Sequence, residues 1–484
     1  MLARRTLLSG ISAAMLADDA EAFPRGSYGV AAPGGTPTLV QHVGSTTNDN
    51  NGIAGNAFTF TLPNVVGAGN CLILGISYPY SGSRTVALSD SSGDTWPSAA
   101  ITTTDSSNLA QKIFVLPNAT SALHTITLTF DTAIKPVAYA ISEFYNVATS
   151  SPVDGTHGTA SVASPNVSAG SYTPTTNNDA NGGHLIWTIT RSNDKVGANN
   201  SFAASTIAPT GSQSLLDADN TCTIPGSSSF YVQATNGAIN PGFTITQSTG
   251  TNFVCSSVAL KAASAGTAPA AGIRIKRILH ATYTLGGSSA VFQFPCDGNL
   301  LYTAAPAGSD QNPISAVTDS NSQTYTNPGA ATEPQCFYKQ NATPSNSLKI
   351  TFSVTGPQFS LRMHDIVGAN ASSYKNTNGV YTTAPGSGSV ADNLPNFTPS
   401  AAPGLTVTTV GFGTGPVTGM ASGAPAGSVF DLVYYTGETD QDRMDNADAQ
   451  AHVYHSTTGA QTWNFGITSA SWGSTAFATA ICFV

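Results

Sequence analysis

Two acids in this chain stand at the ends of strand-like rows whose other members are apolar. Glu143 closes "VAYAISE" in phase with Val137, Tyr139 and Ile141, and Asp365 closes "FSLRMHD" in phase with Phe359, Leu361 and Met363. A carboxylate aimed at an apolar interior needs a partner or takes a raised pKa. One reading makes the two acids catalytic or ligand-binding groups in a cleft, and glycoside hydrolysis asks for two carboxyls about 5–10 Å apart. The other makes each an acceptor for backbone amides of a neighbouring loop. The Glu-to-Asp exchange between the two places favours the second, because catalysis tolerates a one-methylene change of reach poorly.

A second cluster lies in "GETDQDRMDNADAQAHVYH", residues 437–455. Glu438, Asp440, Asp442, Asp445 and Asp448 supply hard oxygen ligands at short spacing, which suits calcium. The spacing lacks the EF-hand's glycine at the sixth place and glutamate at the twelfth, so a solvated acidic loop competes with that reading. His452 and His455, three apart, point to opposite faces of a strand and make a poor metal pair. Tyr78 and Tyr80 flank a proline in "SYPYSGS" at a strand end, where their rings can meet a sugar; ordinary half-buried tyrosines are the alternative. The chain has no G-x-S-x-G elbow, H-E-x-x-H helix or phosphate-binding glycine loop. A Ser-His-Asp triad is assembled in space, and no local signature marks one.

The elements that must hold these groups are extended. Charged residues make up 9% of the 484 residues, against roughly 25% in ordinary soluble proteins. Only four glutamates occur, so long charged helices are nearly excluded. The net charge of −9 and the lack of a basic stripe argue against a nucleic-acid partner. Residues 1–22 read as an export signal: Arg4 and Arg5, an apolar run from Thr6 to Ala17, then Ala20-Glu21-Ala22 as the cleavage site. The paired arginines resemble a twin-arginine signal, with general export as the alternative. No later run is apolar enough for a transmembrane helix. Six cysteines in an exported chain can pair, in fifteen ways. Cys71 and Cys482, in apolar strand contexts, equally suit simple burial.

The turn "SDSSGDTW" at 89–96 returns as "TDSNSQTY" at 318–325, and it does so within a longer duplication. "KIFVLPNATSALHTITLTF" answers "CFYKQNATPSNSLKITFSV", with Asn118 and Asn341 offset by 223. "NGAINPGFTIT" answers "TGAQTWNFGIT", with Gly237 and Gly459 offset by 222. Between the copies lies "KAASAGTAPAAG", residues 261–272, whose small residues mark a linker. Within each copy the period is two, as in "HTITLTF" and "AFTFTL". Asp90 is expected to form an Asx-turn, Gly93 to supply a positive φ, and Asn321 to take that conformation in the second copy.

These patterns predict an all-β protein of two tandem antiparallel β-sandwiches, jelly-roll first and immunoglobulin-like second. The divisions are a signal at 1–22, an N-terminal linker at 23–35, sandwiches at 36–260 and 273–484, and the linker between. The order of G-N, T/S-D-S, N-A-T and terminal acid resembles uncharacterised β-sandwich repeats of bacterial secreted and cell-surface proteins. That resemblance implies an extracellular sandwich and brings no catalytic residues. The expected function is non-enzymatic: attachment, envelope structure or glycan binding at the cell surface or in the periplasm. The partner would be a glycan or envelope component, and calcium the one candidate cofactor. The alternatives are a polysaccharide hydrolase or lyase using Glu143 and Asp365, and a self-assembling subunit of a fibre or appendage.

Overall fold

The computed structural model describes residues 35–47, 55–80, 84–105, 109–134, 137–163, 165–192, 202–206, 213–219, 224–246, 252–283, 289–305, 314–328, 335–354, 359–383, 388–393, 397–412, 417–420, 424–435, 447–469 and 475–484. These hold thirty-one strands, one 3-10 turn at Asp179–Asn181, and no α-helix. The expectation of an all-β sandwich holds. The alternating segment Thr125–Ile134 buries Ile126, Leu128 and Phe130 and turns Thr129 outward. Strands such as Cys71–Pro79 and Val137–Tyr145 are instead buried along nearly their whole length. They belong to a middle layer with a partner on each face.

Each half of the duplication contains two sandwiches rather than one. In residues 38–145 the strands, counted in chain order, form one sheet in the order 1-8-3-6-5 and another in the order 2-7-4. Residues 153–261 and 374–483 repeat both orders. Residues 274–367 give 1-8-3-6 and 2-7-4, with a bridge between Thr326 and Tyr338 at the place of the fifth strand. With the fifth strand beside the sixth rather than the fourth, this winding is jelly-roll-like, four times over. We call these units I to IV.

Units I and II pack back to back. Trp187 and Leu185 of unit II lie against Ile73, Val115 and Phe144 of unit I. Gly75 sits under the indole, where a Cβ would come within 2.7 Å of Trp187. Leu405 and Phe483 of unit IV pack in the same manner near Leu300 and Tyr302 of unit III.

The halves do not form separate bodies on a tether. The first strand of unit I, Thr38–Thr47, runs parallel to the first strand of unit III, Arg274–Tyr283, with His42 opposite Arg277, and fuses two sheets into one of nine strands. Ala218 of unit II bridges Gln293 of unit III and extends an outer sheet to eight strands. Parallel pairing of equivalent strands turns one half over relative to the other. Leu72 therefore joins a core with Ile278, Tyr302, Val407 and Ile481, whereas its counterpart Leu301 faces Phe292 and Ile350 on the opposite side. Asn64 staples the halves: its Nδ2 donates to Ile275 O (2.6 Å) and Gln41 Oε1 (3.1 Å), and its Oδ1 accepts from Tyr454 Oη (2.7 Å). Tyr454 Oη also accepts from Ile275 N at 2.9 Å.

The linker at 261–272 is bound too. Asn70 Nδ2 donates to Thr267 O at 2.9 Å, Thr267 N returns a bond to Asn70 Oδ1 at 2.6 Å, and Ala265 O accepts from Asn146 N at 2.7 Å.

The repeated turn is a folding device. Asp90 Oδ1 accepts from Ser92 N at 3.0 Å, as an Asx-turn requires, and Gly93 has φ 84°. In unit III the left-handed residue is Ser322, φ 59°, not Asn321 as expected. There Asp319 Oδ1 accepts from both Asn321 N and Gln323 N, which winds the turn one residue later. Each turn grips the N-A-T turn of its own unit. Asp94 accepts from Thr120 N (2.8 Å) and Thr120 Oγ1 (2.7 Å), and Gln323 bonds Thr343 N (3.2 Å) and Thr343 Oγ1 (2.7 Å).

Candidate functional site

Glu143 and Asp365 are buried completely, and the structure keeps them apart. Glu143 lies opposite Gln41 and beside Leu72; Asp365 lies opposite Arg277 and beside Leu301. Since Leu72 and Leu301 belong to cores on opposite faces of the nine-stranded sheet, the two carboxylates point into different layers. Glu143 accepts from Gly67 N (2.8 Å), Asn70 Nδ2 (2.5 Å) and Gln41 Nε2 (2.5 Å). Burial raises its pKa against the pull of those donors. Asp365 pairs with Arg277 Nη1, and Arg277 also meets Asp297 at 2.9 Å, with Lys276 on the same Asp297. Burial, then the charge of Asp297, pushes Asp365 up to about 6 despite Arg277. The recurring acid thus ties a loop to its sheet in both halves, with Gln–Glu in one and Arg–Asp in the other.

Tyr78 is only 1% exposed, its ring against Phe130 at 5.1 Å, so it has no face to offer a sugar. Tyr80 is half-buried and packs against the same core. Of the calcium candidates, Glu438, Asp440, Asp442 and Asp445 lie outside the described residues; Asp448 falls on the strand Ala447–His455, where its side chain is not described. Cys71, Cys255, Cys296, Cys336 and Cys482 are buried free thiols, and Cys222 and the N-terminal signal lie outside the described residues.

Two constellations escaped the sequence reading because their members are distant in the chain. Asp90, Asp94 and His124 bring ligand atoms within 4.8 Å of one another, a spacing a metal ion could use. His124 Nδ1 faces Asp90 Oδ2 at 2.8 Å and Ser92 Oγ at 3.3 Å, and its Nε2 faces Thr120 O at 2.9 Å. These contacts suit an imidazolium that donates from both nitrogens to Asp90 and Thr120. Burial opposes this imidazolium, but the hydrogen bond to Asp90 and the neighbouring carboxylates hold its pKa above the ordinary value.

Ser142, His42 and Asp217 form the second group. His42 Nδ1 is 2.9 Å from Ser142 Oγ and its Nε2 is 3.5 Å from Asp217 Oδ1, in the order of a nucleophile, base and acid. All three are 0% exposed between units I and II. Trp187 Nε1 donates to Ser142 Oγ at 3.0 Å, and Asp217 accepts from Ser228 N and lies 3.3 Å from Arg191. With no approach for a substrate, the group acts as a polar rivet through the core.

An open concavity lies nearby, where units I, II and III meet. It encloses about 280 Å³ and is lined by Thr36 to Leu39, Ser214, Phe230 to Val232, Lys276 and Arg277. A bulge between Ile275 and Arg277 swings both cations to one side of their strand. The unit I strand has the same bulge with Val40 and Gln41 in those places.

Compared with protein-family models, curated proteins and solved structures, the chain matches none. No helix among the described residues is long and apolar enough to cross a membrane.

Proposed function

We propose that the protein is an exported, non-catalytic β-sandwich protein that binds glycan in attachment or in the build of the cell envelope. The export rests on the N-terminal sequence. The non-catalytic part rests on one observation: Glu143 and Asp365, the acids a hydrolase or lyase would use, are sealed on opposite faces of the central sheet. Two carboxyls that never share a face cannot flank one glycosidic bond. Four sandwiches joined in one body, in a chain with only 9% charged residues, also leave hydroxyls and amides to supply most of its polar groups, which suits hydrogen bonding with sugars.

A glycan array probed with the full chain tests the binding, and reducing-end release from the polysaccharides that bind tests the absence of catalysis. Retention of a glycan without cleavage is the expected result. Cleavage that disappears in Glu143→Gln or Asp365→Asn would replace this reading with the enzyme.

A further inference from the structure

We propose that Lys276 Nζ and Asp297 Cγ condense into an intramolecular amide with loss of one water. The bond would tie the first strand of unit III to the turn that joins Ser289–Cys296 to Leu300–Ala305. The proposal does not depend on glycan binding. Four ionisable side chains meet at this place. Lys276 Nζ touches Asp297 Oδ2, Arg277 Nη1 lies 2.9 Å from Asp297 Oδ1, and the same Nη1 pairs with Asp365. The side chains of Lys276 and Asp297 are 3% and 15% exposed. Of the two cations only the lysine can shed a proton and become a nucleophile, since a guanidinium stays charged.

Burial opposes ionisation of Asp297, but Arg277 and Lys276 hold its carboxyl below the usual range. The reaction therefore starts from an ammonium and a carboxylate in contact. One Nζ proton passes to Oδ2, the freed lone pair attacks Cγ to form the C–N bond, and Arg277 Nη1 stabilises the negative charge that builds on Oδ1. A second Nζ proton then passes to the Oδ2 hydroxyl, the C–Oδ2 bond breaks, and Oδ1 becomes the amide carbonyl. Water leaves through the concavity that Lys276 lines. The atoms balance with no further reactant. Desolvation penalises the two charged forms, and the neutral amide removes one charge of each sign. What remains is Arg277 with Asp365, a pair already in contact. Unit I lacks both reactants: Val40 stands at its bulge, and Ala68 precedes Gly69-Asn70 where Asp297 precedes Gly298-Asn299.

Mass spectrometry of the denatured full-length protein tests the bond. Wild type should lie about 18 Da, one water, below the mass its sequence requires, and Lys276→Arg and Asp297→Ala should each restore that water. Trypsin should then release a branched peptide in which residues 275–277 are attached to residues 278–339, uncut after Lys276. The map of the wild-type protein decides the matter alone if the variants misfold. A wild type of full mass overturns the proposal. So does a water deficit confined to a linear 278–339 peptide with Lys276 cleaved, because a succinimide between Asp297 and Gly298 would give that result.

Discussion

Replacing Asn64 by alanine probes how firmly the halves are joined. The substitution removes the donor to Ile275 O and the acceptor for Tyr454 Oη, contacts that link unit I to units III and IV. Each group left without a partner costs about 1–3 kcal/mol when buried. Asn64 is itself half-buried, which favours the lower part of that range, so the loss should be about 2–4 kcal/mol in total. A surface substitution without such contacts stays within about 0.5 kcal/mol. Urea unfolding followed by tryptophan fluorescence and far-UV circular dichroism measures it. Wild type should unfold in one transition common to both probes, because one core takes residues from both halves. Tyr454→Phe, combined with Asn64→Ala in a double-mutant cycle, should show a coupling of at least about 0.5 kcal/mol. Strict additivity, or a wild type whose halves melt separately, would refute the reasoning.

Three further outcomes follow from buried titratable groups. His124 has a folded pKa above its unfolded value, so its contribution is present below about pH 6.5 and is lost as pH rises through the raised value; an NMR titration giving a pKa below 6.5 would contradict the double-donor assignment. His280 and His364 behave oppositely. Both are fully buried with depressed pKa values, His280 through burial, Arg362 and His364, and His364 through burial, His452 and Arg362. Stability should therefore be intact above about pH 6.5 and fall below it, by at most about 1.4 kcal/mol per pH unit for each site; His280→Leu with His364→Leu should flatten that slope in urea titrations at pH 8 and pH 5. Burial raises all five described thiols, Cys336 to about 12 and Cys482 to about 11, so they should resist a thiol reagent until urea is added; fast labelling of any of them in the native protein would count against the packing.

The sheets were legible because alternation is local. "HTITLTF" announces a strand with one dry face, and the Asp90–Gly93 turn announces its hairpin. The doubling of each half was also written in the chain at a finer period. "KIFVLPNAT" at 112–120, "SFYVQATNGA" at 229–238, "QCFYKQNAT" at 335–343 and "AHVYHSTTGA" at 451–460 occupy the sixth strand and following turn of the four units. The quarter copies keep little beyond aromatic and β-branched positions, which every strand favours, so the longer and better-kept period masks them. A middle layer was signalled by "CLILGISY" and "HLIWTIT", apolar on both parities. The fusion of the halves carried no such mark, since a first strand satisfies its own alternation whichever neighbour pairs with its free edge. The phase of Glu143 and Asp365 with apolar neighbours was read correctly as inward. That the two inward directions are opposite depends on the inversion of one half, which strand parity within a half does not encode.

Two equivalent edges lying side by side in the same direction are what a pair of identical chains would form about a shared axis. The present molecule is a dimer written as one polypeptide. Joining the copies in a single gene released each from having to match its twin, so a substitution now alters one side of the assembly alone. Lys276 and Arg277 stand where the other half has Val40 and Gln41, and no second cationic pair faces them across the axis. A true homodimer would have been obliged to carry that pair twice or not at all.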